Sequence, residues 1–157
     1  MSPNTILPGA TIGILGSGQL GRMMAIAAKQ LGYSVHCYSP ESDSPAGQVC
    51  DHEWVGQYDD VDMLREFAAA CQVVTYEFEN VPLIAATIVE AGSYFVPASF
   101  VLSICQDRLL EKGFLKSSGI PVPEFYPVRS TADFDSLPQS FPFPAVLKSA
   151  RLGYDGK

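Results

Sequence analysis

Three glycines, Gly16, Gly18 and Gly21, follow a β-branched run in ILGSGQLGRM (residues 14–23) and precede a helical pattern. A glycine-rich turn from strand to helix lets backbone N–H groups at the helix start approach an anion, where the positive end of the helix dipole favours negative charge. The candidate chemistry is phosphate binding. A nicotinamide-dinucleotide site needs more, namely an acidic residue ~20 positions on, at the end of the second strand, to bind the ribose hydroxyls. Here that strand ends in HCYSPE, with Ser39 and Pro40 in the acid's place and Glu41 beyond the proline. The dinucleotide fingerprint is incomplete, which leaves a different phosphate ligand or a turn required only for tight packing.

Other side chains suited to chemistry are sparser. YEFEN places Glu77 and Glu79 at the tip of an apolar run, and PAVLKSARLGYDGK places Lys148 after another and ends in a glycine-punctuated loop. A lysine in that position reads, by itself, as an exposed surface charge. Arg22, in the first turn of its helix, suits either a bound phosphate or a solvated face. His36 and His52 have no motif partner and read as structural histidines. Cys37, Cys50, Cys71 and Cys105 form no C-x-x-C pair, so neither a zinc site nor a redox motif is supported; reduced, mostly buried thiols are expected.

These residues need a scaffold, and the apolar periodicity supplies one. Thr11–Leu15 reads as a buried strand, followed by a helix with Leu20, Met23, Met24, Ala27 and Leu31 on its apolar stripe, ended by Gly32. Further strands are expected at 33–39, 53–57, 73–76 and 94–96. Between them, Val61, Leu64, Phe67, Ala68 and Cys71 mark one helix, and Val81, Ile84, Ala85, Ile88 and Val89 mark another that Gly92 closes. Such alternation predicts an α/β fold: an open parallel sheet flanked by helices through right-handed crossovers. The character changes near residue 100. Residues 107–118 read as a helix despite Gly113, six of the twelve prolines fall between Pro121 and Pro144, and Ala145–Ser149 reads as a strand. An open loop at the end of the sequence implies a continuation.

Composition narrows the class. Of 157 residues, 47% are hydrophobic and 17% charged, normal for a packed globule, and no apolar run approaches the ~20 residues needed to cross a bilayer. Residues 1–10 contain no legible signal or transit peptide, so a cytoplasmic protein is expected. The net charge of −7 is uneven: three basic and eleven acidic side chains in the first hundred residues, seven and six in the rest, giving −8 and +1. An acidic body argues against a nucleic-acid surface.

Taken together, GILGSGQLGRMM, DSPAGQV, TYEFENV, QDRLLEK, SGIPVPEF and PAVLKSARLGYDGK occur in the order and approximate spacing of the 5-(carboxyamino)imidazole ribonucleotide synthases, and the chain resembles this ATP-grasp family of purine biosynthesis along nearly its whole length. The resemblance implies a Rossmann-like pre-ATP-grasp domain over residues 1–104, then a linker helix and the start of an ATP-grasp domain over 105–157, together roughly the first two fifths of a family member. It implies ATP-dependent carboxylation of 5-aminoimidazole ribonucleotide with bicarbonate, through carboxyphosphate, with magnesium on the ATP phosphates held by ligands beyond residue 157. Gly18, Gln19, Leu20 and Gly21 would cradle the substrate's 5′-phosphate, and Glu77 would lie at its ribose. Arg108, Lys148 and the loop Gly153, Tyr154, Asp155, Gly156 and Lys157 would contact ATP, with Tyr154 and Asp155 close to the reacting groups. A homodimer is implied for the full-length protein, and inactivity for these residues alone. Two other classes stay open at this point: a nicotinamide oxidoreductase domain and a non-catalytic nucleotide-binding module.

Overall fold

The computed structural model describes residues 5–153. Five parallel strands, β1 (Thr11–Leu15), β2 (Ser34–Ser39), β3 (His52–Val55), β4 (Val73–Tyr76) and β5 (Tyr94–Phe95), form one sheet in the order β3-β2-β1-β4-β5. Helix α1 (Gln19–Gln30) joins β1 to β2, α2 (Val61–Ala69) joins β3 to β4, and α3 (Leu83–Gly92) joins β4 to β5. Three shorter helices follow: α4 (Ser99–Cys105), α5 (Arg108–Ser117) and α6 (Ala132–Asp135). The chain divides into two compact units, one ending at Ser103 and one beginning at Ile104, and the sheet belongs to the first.

Successive strand residues face opposite sides, so Ile14 and Leu15 enter different cores. On one face Ile14 and Val35 pack under Ala25 of α1, with Met24, Ala28 and Val49 around them. On the other face Leu15, Tyr38 and Val74 meet Leu64, Phe67 and Ala68 of α2 and Ala85, Ala86 and Val89 of α3. Each fully buried large apolar side chain contributes about 1.5–3 kcal/mol, so this second face carries most of the unit's stability. Asp60 caps α2 by accepting the Met63 N–H at 3.0 Å, a contact worth ~1 kcal/mol.

The structure corrects the apolar stripe expected on α1. Leu20 and Met23 are 55% and 65% exposed and Leu31 also faces solvent, whereas the side turned to the sheet carries Gly21, Met24, Ala25 and Ala28. The cause is proximity: only three residues separate the end of β1 from the start of α1, and a helix held that close to a sheet accommodates small residues beneath it. Ile84 of α3 is likewise exposed, with Ala85, Ala86 and Val89 inward. The strand expected at 145–149 does not form, and Val146 and Leu147 are 80% and 72% exposed. An extended segment becomes a strand only when a neighbour takes up its backbone hydrogen bonds, and none does among the described residues. Helices α4 and α6 were not expected from the sequence; both are too short to show a stripe.

Candidate functional site

Strands β1 and β4 are hydrogen-bonded neighbours with Leu15 opposite Tyr76. The next residue on each, Gly16 and Glu77, therefore stands beside the other at the carboxyl end of the sheet. The Glu77 N–H continues the ladder onto the Leu15 carbonyl at 3.1 Å, and the Gly16 N–H donates to the Tyr38 carbonyl at 2.9 Å. Chain order reverses between these strands, with β2 and β3 on one side and β5 on the other. Open α/β sheets bind their ligands at such a switch point.

The Glu77 side chain turns into the glycine loop. Its Oε1 accepts the Gly18 N–H at 2.6 Å and its Oε2 the Gly21 N–H at 2.5 Å. Gly18 is the N-cap of α1 and has no side chain with which to cap it. Glu77 takes over that function from another strand, satisfying two donors at a helix start and placing its negative charge at the positive end of the helix dipole. A Cβ on Gly16 would stand 2.5 Å from Glu77 Cγ, one on Gly18 3.0 Å from Oε1, and one on Gly21 2.9 Å from Oε2. Gly16 also has a φ of +100°, a conformation that side-chain-bearing residues rarely adopt. Nearby, burial and then the Glu77 charge push the Tyr58 hydroxyl well above the ordinary phenol range. Gln19 and Leu20 lie exposed on the first turn of α1.

The segment between β2 and β3 closes over this helix start. Arg22 Nη1 donates to the Pro45 carbonyl and to Gln48 Oε1, each at 2.9 Å, and the Ala46 N–H donates to the Ser17 carbonyl at 2.9 Å. Arg22 is thus a tether for the loop. Glu53 anchors the same loop from β3, accepting the Ser44 hydroxyl at 2.6 Å and the Ser44 and Asp43 N–H groups. Where a dinucleotide site needs a carboxylate, Ser39 shares a 2.6 Å hydrogen bond with Ser17. His36 belongs to an aromatic cluster: its Nδ1 accepts from Trp54 Nε1 at 3.3 Å, and burial, then the neighbouring His52, lower its pKa.

The second unit gathers other residues. Asp107 caps α5 through the Leu109 and Leu110 N–H groups, and Arg108, the first residue of the helix, donates its own N–H to the Ala150 carbonyl at 2.9 Å. Arg151 Nη2 reaches Gln106 Oε1 at 3.2 Å. A Cβ on Gly153 would lie 3.4 Å from Arg108 Nη2 and 2.9 Å from Ser149 Oγ. Arg108 and Gly153, expected at one ligand, therefore lie together, and Lys148 is exposed on the adjoining segment. Tyr154, Asp155, Gly156 and Lys157 lie outside the described residues. Among the described residues no three His, Cys, Asp or Glu side chains converge as metal ligands.

Comparison with known proteins follows this division. Residues 9–106 match the ribonucleotide synthetase preATP-grasp domain, and residues 113–157 match the ATP-grasp domain. The chain belongs to the ribonucleotide synthetase pre-ATP-grasp family. Within that family it is 43% identical to the N5-carboxyaminoimidazole ribonucleotide synthase of Bacillus subtilis over its whole length and 41% of the relative's. It is 45% identical to the bifunctional purine synthesis protein of Dictyostelium discoideum over 96% of this chain and 15% of that one. A solved N5-carboxyaminoimidazole ribonucleotide synthetase in complex with ADP superposes with a TM-score of 0.89 at 42% identity, covering 97% of this chain and 40% of that one. The Aspergillus clavatus N5-carboxyaminoimidazole synthase, crystallised with ADP and 5-aminoimidazole ribonucleotide, gives 0.69 at 30% identity over 76% and 32%. The chain spans about two fifths of the length of its bacterial relatives.

Sequence reasoning named Gly18, Gly21 and Glu77 but not their mutual contact. The signal was indirect: it required knowing that β1 pairs with β4, which sets Gly16 beside Glu77. Ser149 and Gln106, beside Gly153 and Arg151, lie inside the quoted motifs but were not singled out as site residues.

Proposed function

We propose that the full-length protein carboxylates 5-aminoimidazole ribonucleotide with bicarbonate at the expense of ATP, giving the N5-carboxylated ribonucleotide, ADP and phosphate. In this reading the ribonucleotide binds at the carboxyl ends of β1 and β4, against Gly18, Gln19, Leu20, Gly21 and Glu77, with the carboxylate accepting from ribose hydroxyls. Arg108, Lys148 and the loop from Gly153 through Tyr154, Asp155, Gly156 and Lys157 bind ATP. The three cations, Arg108, Lys148 and Lys157, offset phosphate charge, and the glycines permit close backbone approach. Bicarbonate attacks the γ-phosphorus, ADP leaves, and carboxyphosphate results. The exocyclic amine then bonds to the carboxyl carbon, directly or by way of carbon dioxide, losing a proton as phosphate departs. Catalysis of this kind rests on positioning and charge neutralisation. Magnesium on the ATP phosphates would add to that neutralisation, and no described residue is assigned to it.

The observation that carries this reading is the pairing of two features in one chain: Glu77 seated at the sheet's switch point, and Arg108 beside Gly153 of the segment that matches the ATP-grasp domain. A relative named N5-carboxyaminoimidazole ribonucleotide synthase aligns over the whole chain, and a synthetase solved with ADP covers 97% of it, which supports the reading. No helix among the described residues is long and apolar enough to cross a membrane; a cytoplasmic location and a homodimer are proposed for the full-length form.

The test is phosphate release from ATP by the full-length protein, with and without bicarbonate and the ribonucleotide. Release that needs both supports the reading, and the 157-residue chain alone should give none. Release indifferent to bicarbonate overturns it.

A further inference from the structure

Cys37 and Cys50 stand thirteen residues apart, a spacing that by itself pairs nothing, and both are free thiols. The sheet brings them together. Cys37 is the register partner of Ile14 and lies two residues beyond Val35, so these three side chains all face α1. Cys50 packs against the cluster that Ile14, Val35 and Ala25 form on that same face. Its backbone is held there from both sides. The Cys50 N–H donates to the Ala46 carbonyl at 2.9 Å, and the next residue, Asp51, is doubly bonded to Val35: its N–H donates to the Val35 carbonyl at 2.8 Å and its Oδ2 accepts the Val35 N–H at 2.8 Å. The two thiols thereby lie in hydrogen-bond contact, Cys37 donating to the Cys50 sulfur.

We propose that this pair is a redox modification site, at which a peroxide converts Cys37 and Cys50 into a reversible disulfide that fastens the 43–50 loop to β2. The roles of the two thiols differ. Cys50 is half-buried and Cys37 fully buried, so an oxidant meets Cys50 first. The hydrogen bond from Cys37 holds the Cys50 thiol below its ordinary range against burial, with the Lys29 charge assisting and the Asp51 and Glu53 charges opposing; the same bond, and then burial, push the Cys37 thiol up. The Cys50 thiolate attacks one peroxide oxygen and the O–O bond breaks. The departing hydroxide recovers the proton that Cys50 gave up, and a sulfenic acid remains. The Cys37 sulfur then attacks the Cys50 sulfur, the S–O bond breaks, and the released hydroxide takes the Cys37 proton. Two thiols have lost two electrons and two protons, and one peroxide has become two waters. A dithiol reductant reverses the bond, as suits the transient disulfides of a reducing compartment. The loop fastened in this way is the one over the glycine turn, where the Ala46 N–H meets the Ser17 carbonyl and Arg22 holds Pro45 and Gln48. Glu53, the register partner of Cys37, already ties the amino-terminal part of that loop through Ser44 and Asp43, and the disulfide adds a covalent tie at its carboxyl end.

The test uses full-length protein carrying Cys105→Ser, which removes the exposed thiol of the second unit. The protein is treated with hydrogen peroxide and its peptides are mapped by mass spectrometry. The expected product is a Cys37–Cys50 cross-link lighter than the free pair by two hydrogen atoms and lost on treatment with dithiothreitol. Both thiols left free, or Cys50 carried to sulfinic acid beside a free Cys37, overturns the proposal. Two further variants test the order of events. Cys37→Ala, or Cys37→Val where the smaller side chain leaves the buried position too empty to fold, should leave Cys50 as a sulfenic acid that dimedone traps. Cys50→Ala should leave Cys37 unlabelled. Dimedone on Cys37 in the second case, or none on Cys50 in the first, overturns the assigned roles. Hydrogen exchange of the 43–50 amides should slow about tenfold in the oxidised protein, because a cross-link removes freedom from the segment it closes. Exchange that is unchanged or faster overturns the fastening of the loop. These outcomes hold whichever reaction the full-length enzyme catalyses.

Discussion

The turn at 16–21 and the segment at 145–149 are both expected to serve phosphate-bearing ligands, and they reach the folded state in opposite conditions. At the turn every element needed is local to the first unit: the sheet fixes the backbone, Glu77 satisfies the helix start, and the 43–48 loop is tied down by Arg22 and Glu53. Around Lys148 the backbone is extended but unpaired, and Val146 and Leu147 face solvent. The difference lies in what each segment needs from the rest of the chain. A turn can be completed by one carboxylate, whereas a strand needs a neighbour along its whole length.

The strongest way to break the comparison is to disturb the sheet beneath the turn. A Cβ on Gly13 would meet Cys71 Sγ and Phe67 Cζ at 2.8 Å and Val74 Cγ2 at 2.9 Å. Gly13→Val should therefore overpack this face and cost about 3 kcal/mol, the upper end for an inserted side chain in a dense core, measured by urea unfolding. A loss below about 1 kcal/mol would mean that the sheet yields and does not fix the turn rigidly. Next in size, Lys148→Ala in the full-length protein should weaken ATP binding roughly ten- to a hundredfold, the range of a charge-assisted hydrogen bond. Ribonucleotide binding should stay within about twofold, since Lys148 and Glu77 serve different ligands in the proposed site. Calorimetric titration of each ligand checks both, and parallel losses would show that the two regions do not act separately.

The first unit was largely legible in the sequence because its stripes and strands are local patterns. Strands β1 and β4 lie where alternation and β-branched runs place them, and Leu64, Phe67 and Ala68 are buried as their spacing implies. The failures are of two kinds. On α1, periodicity identified an apolar stripe, but the helix buries small residues because it leaves the sheet so abruptly; hydrophobicity ranks residues by size, and here the close approach excludes size. At 145–149, composition gave β propensity, which measures fit to a pleated neighbour and cannot supply one. The site followed the same division: the glycines and Glu77 could each be named, but their contact depended on strand order, which no local pattern contains.

A smaller effect sharpens the contrast through pH. The Ser44 hydroxyl, with the Ser44 and Asp43 N–H groups, holds the Glu53 carboxyl below its ordinary value of 4.5 against an opposing contribution from burial. The folded state thus binds a proton at Glu53 less readily than the unfolded chain does. The resulting stabilisation is complete above the unfolded value and is lost as pH falls from there through the folded value. Glu53→Gln should cost about 1–2 kcal/mol near neutrality through weaker hydrogen bonds, and it should flatten the acid limb of the stability curve below pH 4.5. Unfolding midpoints measured between neutral and acid pH test this, and an unchanged acid limb would remove Glu53 from the account of the loop.

The smallest expected effect belongs to the second unit and has the opposite sign. Gly113 lies in the middle of α5, where glycine costs about 1 kcal/mol relative to alanine because the unfolded chain is so free there. Its φ is not among the positive values, and a Cβ at this position would meet nothing within 4 Å, so neither strain nor crowding requires glycine. Gly113→Ala should therefore raise stability by about 1 kcal/mol, seen as a higher midpoint in thermal or urea unfolding followed by helical circular dichroism. At Gly18 and Gly21, by contrast, the same substitution would press on Glu77. Loss of stability from Gly113→Ala would mean that the open face of α5 is covered by other parts of the full-length protein, and comparing the variant in the 157-residue chain with the full-length form would locate that cover.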